Sequence, residues 1–272
     1  ECIVFTPFFP EYTIFIKESG AKVVQVPGEE GTFQIDMEKF EAAVNEKTKA
    51  VIVNSPNNPS GVVYSEETIV KMCDILRKKE KEYGHPIFLI TDEPYRELVY
   101  DDIDVPYMIN YYDNTFVCYS YSKALSLPGE RIGYIVVSNK MVDSKDAYAA
   151  VCGAGRVLGY VCAPSLFQKV IERCIDDTAD ISIYKTNRDL LYNSLTEMGF
   201  ECVYPDGAFY LFVKAMEDDA KAFCEKAKEQ ELLLVPADSF GTPGYVRVSY
   251  CVQTEQIERA LPAFKKLADS YK

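Results

Sequence analysis

Short β-branched runs alternate with segments of helical period through about residue 165, a pattern that predicts a mostly parallel α/β sheet. The candidate strands are Ile3–Thr6, Val23–Val26, Val51–Asn54, Ile87–Thr91, Phe116–Ser120 and Tyr134–Val137. Between two of them Ser65 can cap a helix whose apolar positions Ile69, Met72, Cys73 and Leu76 fall on one face. Glu66 and Glu67 open that helix, Arg77 to Lys81 load its far end and Gly84 stops it, in agreement with the helix dipole.

The pattern changes from about Pro164. A long helical stretch, Leu166 to Met198, reads as a connection to a smaller α+β unit. There Glu201–Tyr204, Ala208–Val213, Leu232–Val235 and Tyr245–Ser249 read as strands, with a helix near Asp219–Glu229. A closing helix follows Thr254, with Ile257, Leu261, Phe264 and Leu267 on one face. The expected organisation is a large domain over 1–165, a helical connection over 166–198 and a small domain over 199–272.

Composition narrows the function classes. Hydrophobic residues make up 48% of 272, enough for a full core. A net charge of −13 argues against nucleic acid and against anionic membrane surfaces as partners. No apolar run approaches the roughly 20 residues of a membrane span. Nine scattered cysteines without a C-x-x-C pair read as thiols in a reducing cytoplasm. The only histidine, His85, lies in a Gly-His-Pro turn, which leaves little room for a metal site or a histidine-based triad.

The candidate chemistry sits where strands end, the edge at which ligands bind in such sheets. Lys123 closes the run Ser120-Tyr121-Ser122-Lys123, Asp92 and Tyr95 follow the Ile87 run, and Arg131 lies in Pro128-Gly129-Glu130-Arg131. An amine, a carboxylate, a phenol and a guanidinium so placed can hold an aromatic aldehyde carrying a phosphate, and pyridoxal 5'-phosphate is such a molecule. The lysine would bond the aldehyde, and Asp92 would keep the pyridine nitrogen protonated. An ion pair there gives roughly 4 kcal/mol at about 4 Å and an effective dielectric near 20. Tyr95 could meet the ring oxygen, while Arg131 and the Ser120 hydroxyl supply phosphate donors. Asn58 lies in the turn Asn57-Asn58-Pro59-Ser60-Gly61, its amide free to donate and accept. Arg247 lies on the strand face opposite Val246 and Val248, where it either pairs within the protein or waits for a ligand carboxylate.

Other motifs carry less. Ser120-x-x-Lys123 alone also fits an acyl-transferase nucleophile, but the companion Ser-Asp-Asn and Lys-Thr-Gly motifs are absent. Gly153-Ala154-Gly155 reads as a turn before a helix rather than a dinucleotide loop. Arg156 reads as a solvated helix arginine.

These segments, with Gly207-Ala208-Phe209-Tyr210, give the chain a resemblance to the class I/II aminotransferases of the fold-type I pyridoxal-phosphate family, along nearly its whole length. The resemblance implies Lys123 as the Schiff-base lysine and Asp92 as the pyridine partner. It implies Tyr95 and Asn58 at the ring oxygen, Ser120 and Arg131 at the phosphate, and Arg247, with Asn58, at the substrate carboxylate. Phe9 falls where the family stacks an aromatic side chain on the ring, with Phe8 beside it. The expected activity is amino-group transfer between an L-amino acid and a 2-oxo acid, in a cytoplasmic homodimer when full length. A carbon–sulfur β-lyase on the same lysine, or a non-catalytic aminotransferase-like module, are the alternatives. Family members run substantially longer at the amino terminus, so the chain is expected to be an amino-terminal truncation lacking part of the large domain.

Overall fold

A computed structural model describes residues 1–272. Six strands form the larger sheet: β1 (Cys2–Thr6), β2 (Val23–Pro27), β3 (Ala50–Asn54), β4 (Phe88–Asp92), β5 (Thr115–Ser120) and β6 (Gly133–Val137). Their spatial order is β2-β1-β3-β4-β5-β6. All pairings are parallel except that of β5 with β6. The mostly parallel α/β architecture expected from the pattern is the one observed, and β6 is its single antiparallel strand.

Helices α1 (Glu11–Glu18), α2 (Met37–Ala43) and α3 (Glu66–Tyr83) cross between the parallel strands. Helix α3 follows its sequence signals closely. Ser65 accepts a hydrogen bond from the Thr68 N–H at 3.1 Å, Gly84 ends the helix at φ 73°, and Ile69, Met72, Cys73 and Leu76 are its buried residues. One turn of helix, α4 (Tyr121–Ala124), follows β5.

Beyond β6 come α5 (Ser144–Val157), α6 (Ser165–Arg173) and α7 (Ser182–Glu197). Two expectations change here. The stretch Leu166–Met198 is two helices, parted by residues 174–181. Asp180 there accepts from the Ser182 N–H at 2.9 Å, a local turn just before the next helix that competes with helical continuation. Gly153-Ala154-Gly155 lies inside α5, whose glycines meet no close packing neighbour beyond Tyr160.

The small sheet is antiparallel, in the order β7-β8-β10-β9, from β7 (Cys202–Val203), β8 (Tyr210–Lys214), β9 (Val235–Pro236) and β10 (Tyr245–Ser249). Helices α8 (Ala220–Lys228) and α9 (Thr254–Asp269) complete this part. Neither large apolar core stops at its edge. Tyr95, Leu98 and Tyr100 pack with Leu191, Phe223 and Phe264, while Phe33 and Phe40 pack with Phe212 and Phe240.

The turn at residues 205–208 joins the two sheets. The Gly207 N–H donates to the Gly61 carbonyl at 2.9 Å, and the Val63 N–H donates to the Asp206 carboxylate at 3.0 Å. Arg188 of α7 supports it from behind. It is fully buried, lies 4.7 Å from the ring centres of both Tyr100 and Tyr204, and pairs with Asp101 and Asp189 at 2.7 Å. Gly61 has no alternative at its position. Its φ is +74°, and a Cβ there would lie 2.4 Å from the Pro205 Cβ. Gly61→Ala is therefore expected to destabilise the fold by at least about 2 kcal/mol, read as a lower urea midpoint at unchanged m-value.

Candidate active site

Parallel register brings the strand ends together. Asn54 stands opposite Asp92, and Asp92 opposite Cys118, so the loops after β3, β4 and β5 open on one edge of the sheet. Asp92 is the acid at its centre. Burial pushes its carboxyl up to about 6, and the Tyr12 hydroxyl, donated to Oδ2, opposes that rise. The other oxygen, Oδ1, carries no hydrogen bond from the protein, so a protonated ring nitrogen could take it and draw the acid back to its ionised form.

Tyr95 links the remaining groups. The Lys123 amine lies 5.8 Å from its ring centre and 5.2 Å from that of Phe209, with no ion pair or hydrogen bond to the protein. Burial lowers the lysine below its usual value; the Cys251 thiol opposes this, and the Arg247 and Arg131 charges add to it. An amine in such surroundings carries a larger neutral, nucleophilic fraction than a solvated one. The phenol of Tyr95 meets that of Tyr210 at 3.1 Å. Burial holds the Tyr95 hydroxyl well above the usual tyrosine value, with Tyr210 and Asp92 adding to the rise and Arg247 opposing it.

Arg247 reaches the same space from β10. Its Nη1 donates to the Asn58 Oδ1 at 2.9 Å, and its guanidinium lies 4.4 Å from the Tyr210 ring centre and 5.0 Å from that of Phe240. Its Nε is buried without an acceptor, and no carboxylate of the protein lies within ion-pair range. An orphaned donor on an unpaired guanidinium fits an incoming carboxylate.

The phosphate donors named from the sequence are differently placed. The Ser120 hydroxyl caps α4, accepting from the Ser122 N–H at 3.2 Å and donating to the Ser122 hydroxyl at 2.7 Å. Arg131 is exposed, at φ 52°, and donates to the Pro128 carbonyl at 2.8 Å. Direct contacts thus connect Lys123, Tyr95, Arg247, Asn58 and Asp92 through Tyr210 and Asn54, whereas Ser120 and Arg131 hydrogen-bond only to residues close to them in sequence. Of the two phenylalanines, Phe8 is 3% exposed and packs with Tyr12 and Ile16. Phe9 is half-buried, its ring centre 5.6 Å from that of Tyr12 in an edge-to-face contact.

Three contributors carry no role derived from the sequence, although Tyr210 closes the quoted Gly207–Tyr210 segment and Asn54 ends an expected strand. Tyr12 donates to Asp92 from α1 across 80 residues of sequence, and no local spacing signals that bond. Asn54 donates to the Asp92 carbonyl at 2.8 Å and accepts from the Asn58 N–H at 2.8 Å. Tyr210 is a hydroxyl in an otherwise apolar run, Phe209–Val213.

The fold and this set of groups define an α/β transferase of fold type I. The chain belongs to the class I and II aminotransferases, whose family model matches residues 1–264. An amino transferase of Eubacterium rectale of known crystal structure is 60% identical, with a TM-score of 0.97 over all of this chain and 68% of its own. Thermotoga maritima aspartate aminotransferase is 32% identical over 99% of this chain and 70% of that relative. Aromatic-amino-acid aminotransferase 2 of Thermococcus litoralis is 28% identical, over 98% of this chain and 69% of the relative.

Because burial raises the folded-state pKa of Asp92 above its ordinary 3.8, the folded protein holds more protons than the unfolded chain between about pH 4 and 6. The stability contribution of this group is therefore full below pH 4 and is lost as pH rises through about 6. In the cofactor-free protein, Asp92→Asn should flatten that part of the stability–pH curve by roughly 2 to 3 kcal/mol, as measured by urea unfolding. Tyr12→Phe should steepen it, because the donor that opposes the rise is gone.

Proposed function

We propose that this protein transfers the amino group of an L-amino acid to a 2-oxo acid, with pyridoxal 5'-phosphate as its cofactor. The observation that carries the reading is the free amine of Lys123, packed on the rings of Tyr95 and Phe209 beside the unpaired guanidinium of Arg247. When bound, the cofactor supplies an aldehyde carbon and an electron-accepting pyridine ring.

The groups present fit that molecule. Lys123 would hold the aldehyde through its amine, and that amine would also be the base placed to move the proton of the substrate Cα. Asp92, held by Tyr12, keeps the ring nitrogen protonated, a pre-organised charge that needs no rearrangement during reaction. Tyr95 and Asn58 donate to the ring oxygen, and Phe9 covers a ring face. Ser120 and Arg131 serve the phosphate. Arg247 binds the substrate α-carboxylate and Asn58 orients it.

A homodimer in the cytoplasm is part of the same proposal. Helix α5 buries none of its residues, and Tyr148, Val157, Leu158, Tyr160, Val161 and Leu166 leave 61 to 89% of their surface exposed, an apolar face that supports a second subunit. All nine cysteines are free thiols, which supports a reducing compartment. No helix is long and apolar enough to cross a membrane.

A spectral half-reaction screen of amino acids on the cofactor-loaded protein tests the activity, with aspartate and aromatic donors first because relatives bear those names. Loss of the cofactor's visible band on adding a donor, with release of the matching 2-oxo acid, is expected; no half-reaction with any donor would refute it. Release of pyruvate from cystathionine would instead mark a β-lyase. Lys123→Ala should remove the visible band that borohydride otherwise traps and lower turnover by more than about 10³-fold. Arg247→Ala should raise the KM for amino acids about 100-fold, the loss of one charge-assisted bidentate contact.

A further inference from the structure

We infer that Tyr210 is a positioning residue that relays the charge of Arg247 to the Tyr95 phenol, and through it to the oxygen of the bound cofactor ring. This rests on the cofactor reading above and adds a second link between the two ends of the site, besides the contact of Arg247 with Asn58.

The argument begins with the small sheet. In the pairing of β8 with β10, Tyr210 stands opposite Ser249 and Phe212 opposite Arg247. Tyr210 and Arg247 are thus diagonal neighbours on one face, within reach for long side chains. The guanidinium covers the ring of Tyr210 at 4.4 Å, where its charge draws electron density from the phenol and makes the hydroxyl a stronger donor. That hydroxyl meets the oxygen of Tyr95 at 3.1 Å in a buried contact, with the two rings edge to face at 5.9 Å. Either phenol can donate in this pair, and once Tyr95 gives its proton to the ring oxygen, Tyr210 is the one left to donate. Chained hydrogen bonds polarise one another, so that donation makes Tyr95 a stronger donor in turn.

The charged and titratable groups facing this pair leave few other sources for such an effect. Arg247 and Cys251 face Tyr210 from β10 and the residues after it, while Asp92, at the end of β4, and Lys123, on α4, face Tyr95. Arg247 is the cation nearest Tyr210, and it is also the group that an α-carboxylate would neutralise. Substrate binding at one end of the site then weakens the hydrogen bond on the ring oxygen at the other.

Tyr210→Phe removes one hydroxyl while keeping the ring under Arg247. The readout is the pH midpoint of the visible band when wild-type and variant proteins, loaded with pyridoxal 5'-phosphate, are titrated. A weaker donor leaves more negative charge on the ring oxygen, which favours the protonated form of the chromophore. The midpoint should rise by about half a pH unit, roughly threefold in proton affinity. Tyr95→Phe should shift it further in the same direction, and adding Tyr210→Phe to Tyr95→Phe should change nothing more, because the relay acts only through Tyr95. An unchanged midpoint in Tyr210→Phe, or a full extra shift in the double variant, overturns the relay and leaves the cofactor assignment standing. Absence of any visible band in the wild-type protein overturns both.

Discussion

The site depends on one line of hydrogen bonds that crosses the protein from sheet to sheet. The Asn54 amide ties the backbone of Asp92 to the backbone of Asn58, and the Asn58 side chain accepts from Arg247. Asp92 belongs to the parallel sheet and Arg247 to the antiparallel one, so the line holds only while the two sheets keep their relative position. The buried Arg188 and the close contact of Gly61 with Pro205 maintain that position from outside the opening. Rigid elements rather than loop tips therefore set the distance between an acid suited to a ring nitrogen and a cation suited to a carboxylate.

Burial does a second task, and its direction differs from group to group. It raises Asp92 and lowers Lys123, in each case favouring the neutral form over the charged one relative to water. It pushes the phenols of Tyr12 and Tyr95 upward, which keeps them as proton donors at every physiological pH. Separating titratable groups in this way lets a single opening hold a base, an acid partner and fixed donors together.

Much of this was legible in the chain itself, because its strands are short, apolar and followed by chemistry. Val51–Asn54, Phe116–Ser120 and Tyr245–Ser249 are strands as the pattern implies, and α3 has the cap, stop and buried face its residues specify. Helix α1 is hidden because Tyr12, Ile14, Phe15 and Ile16 form an apolar cluster of which Ile14 and Phe15 are exposed, which blurs the helical period. The break between α6 and α7 is hidden because it uses aspartates rather than proline or glycine. Tyr12, Tyr210 and the Asn54 bond to Asp92 contribute through contacts between segments distant in sequence, and local spacing does not record such contacts. The groups that the motifs revealed are those proposed to meet ligands; the residues that hold them in place needed the fold.

The bare apolar face of α5 has a practical consequence. Two exposed thiols, Cys152 on the helix and Cys162 just beyond it, sit within that face. Their reactivity towards a soluble alkylating reagent would therefore report, residue by residue, whether anything covers the face in solution. With the exposed Cys251, they are also open to unwanted cross-links between molecules in air, so handling under reductant matters more for this protein than its buried thiols alone would suggest.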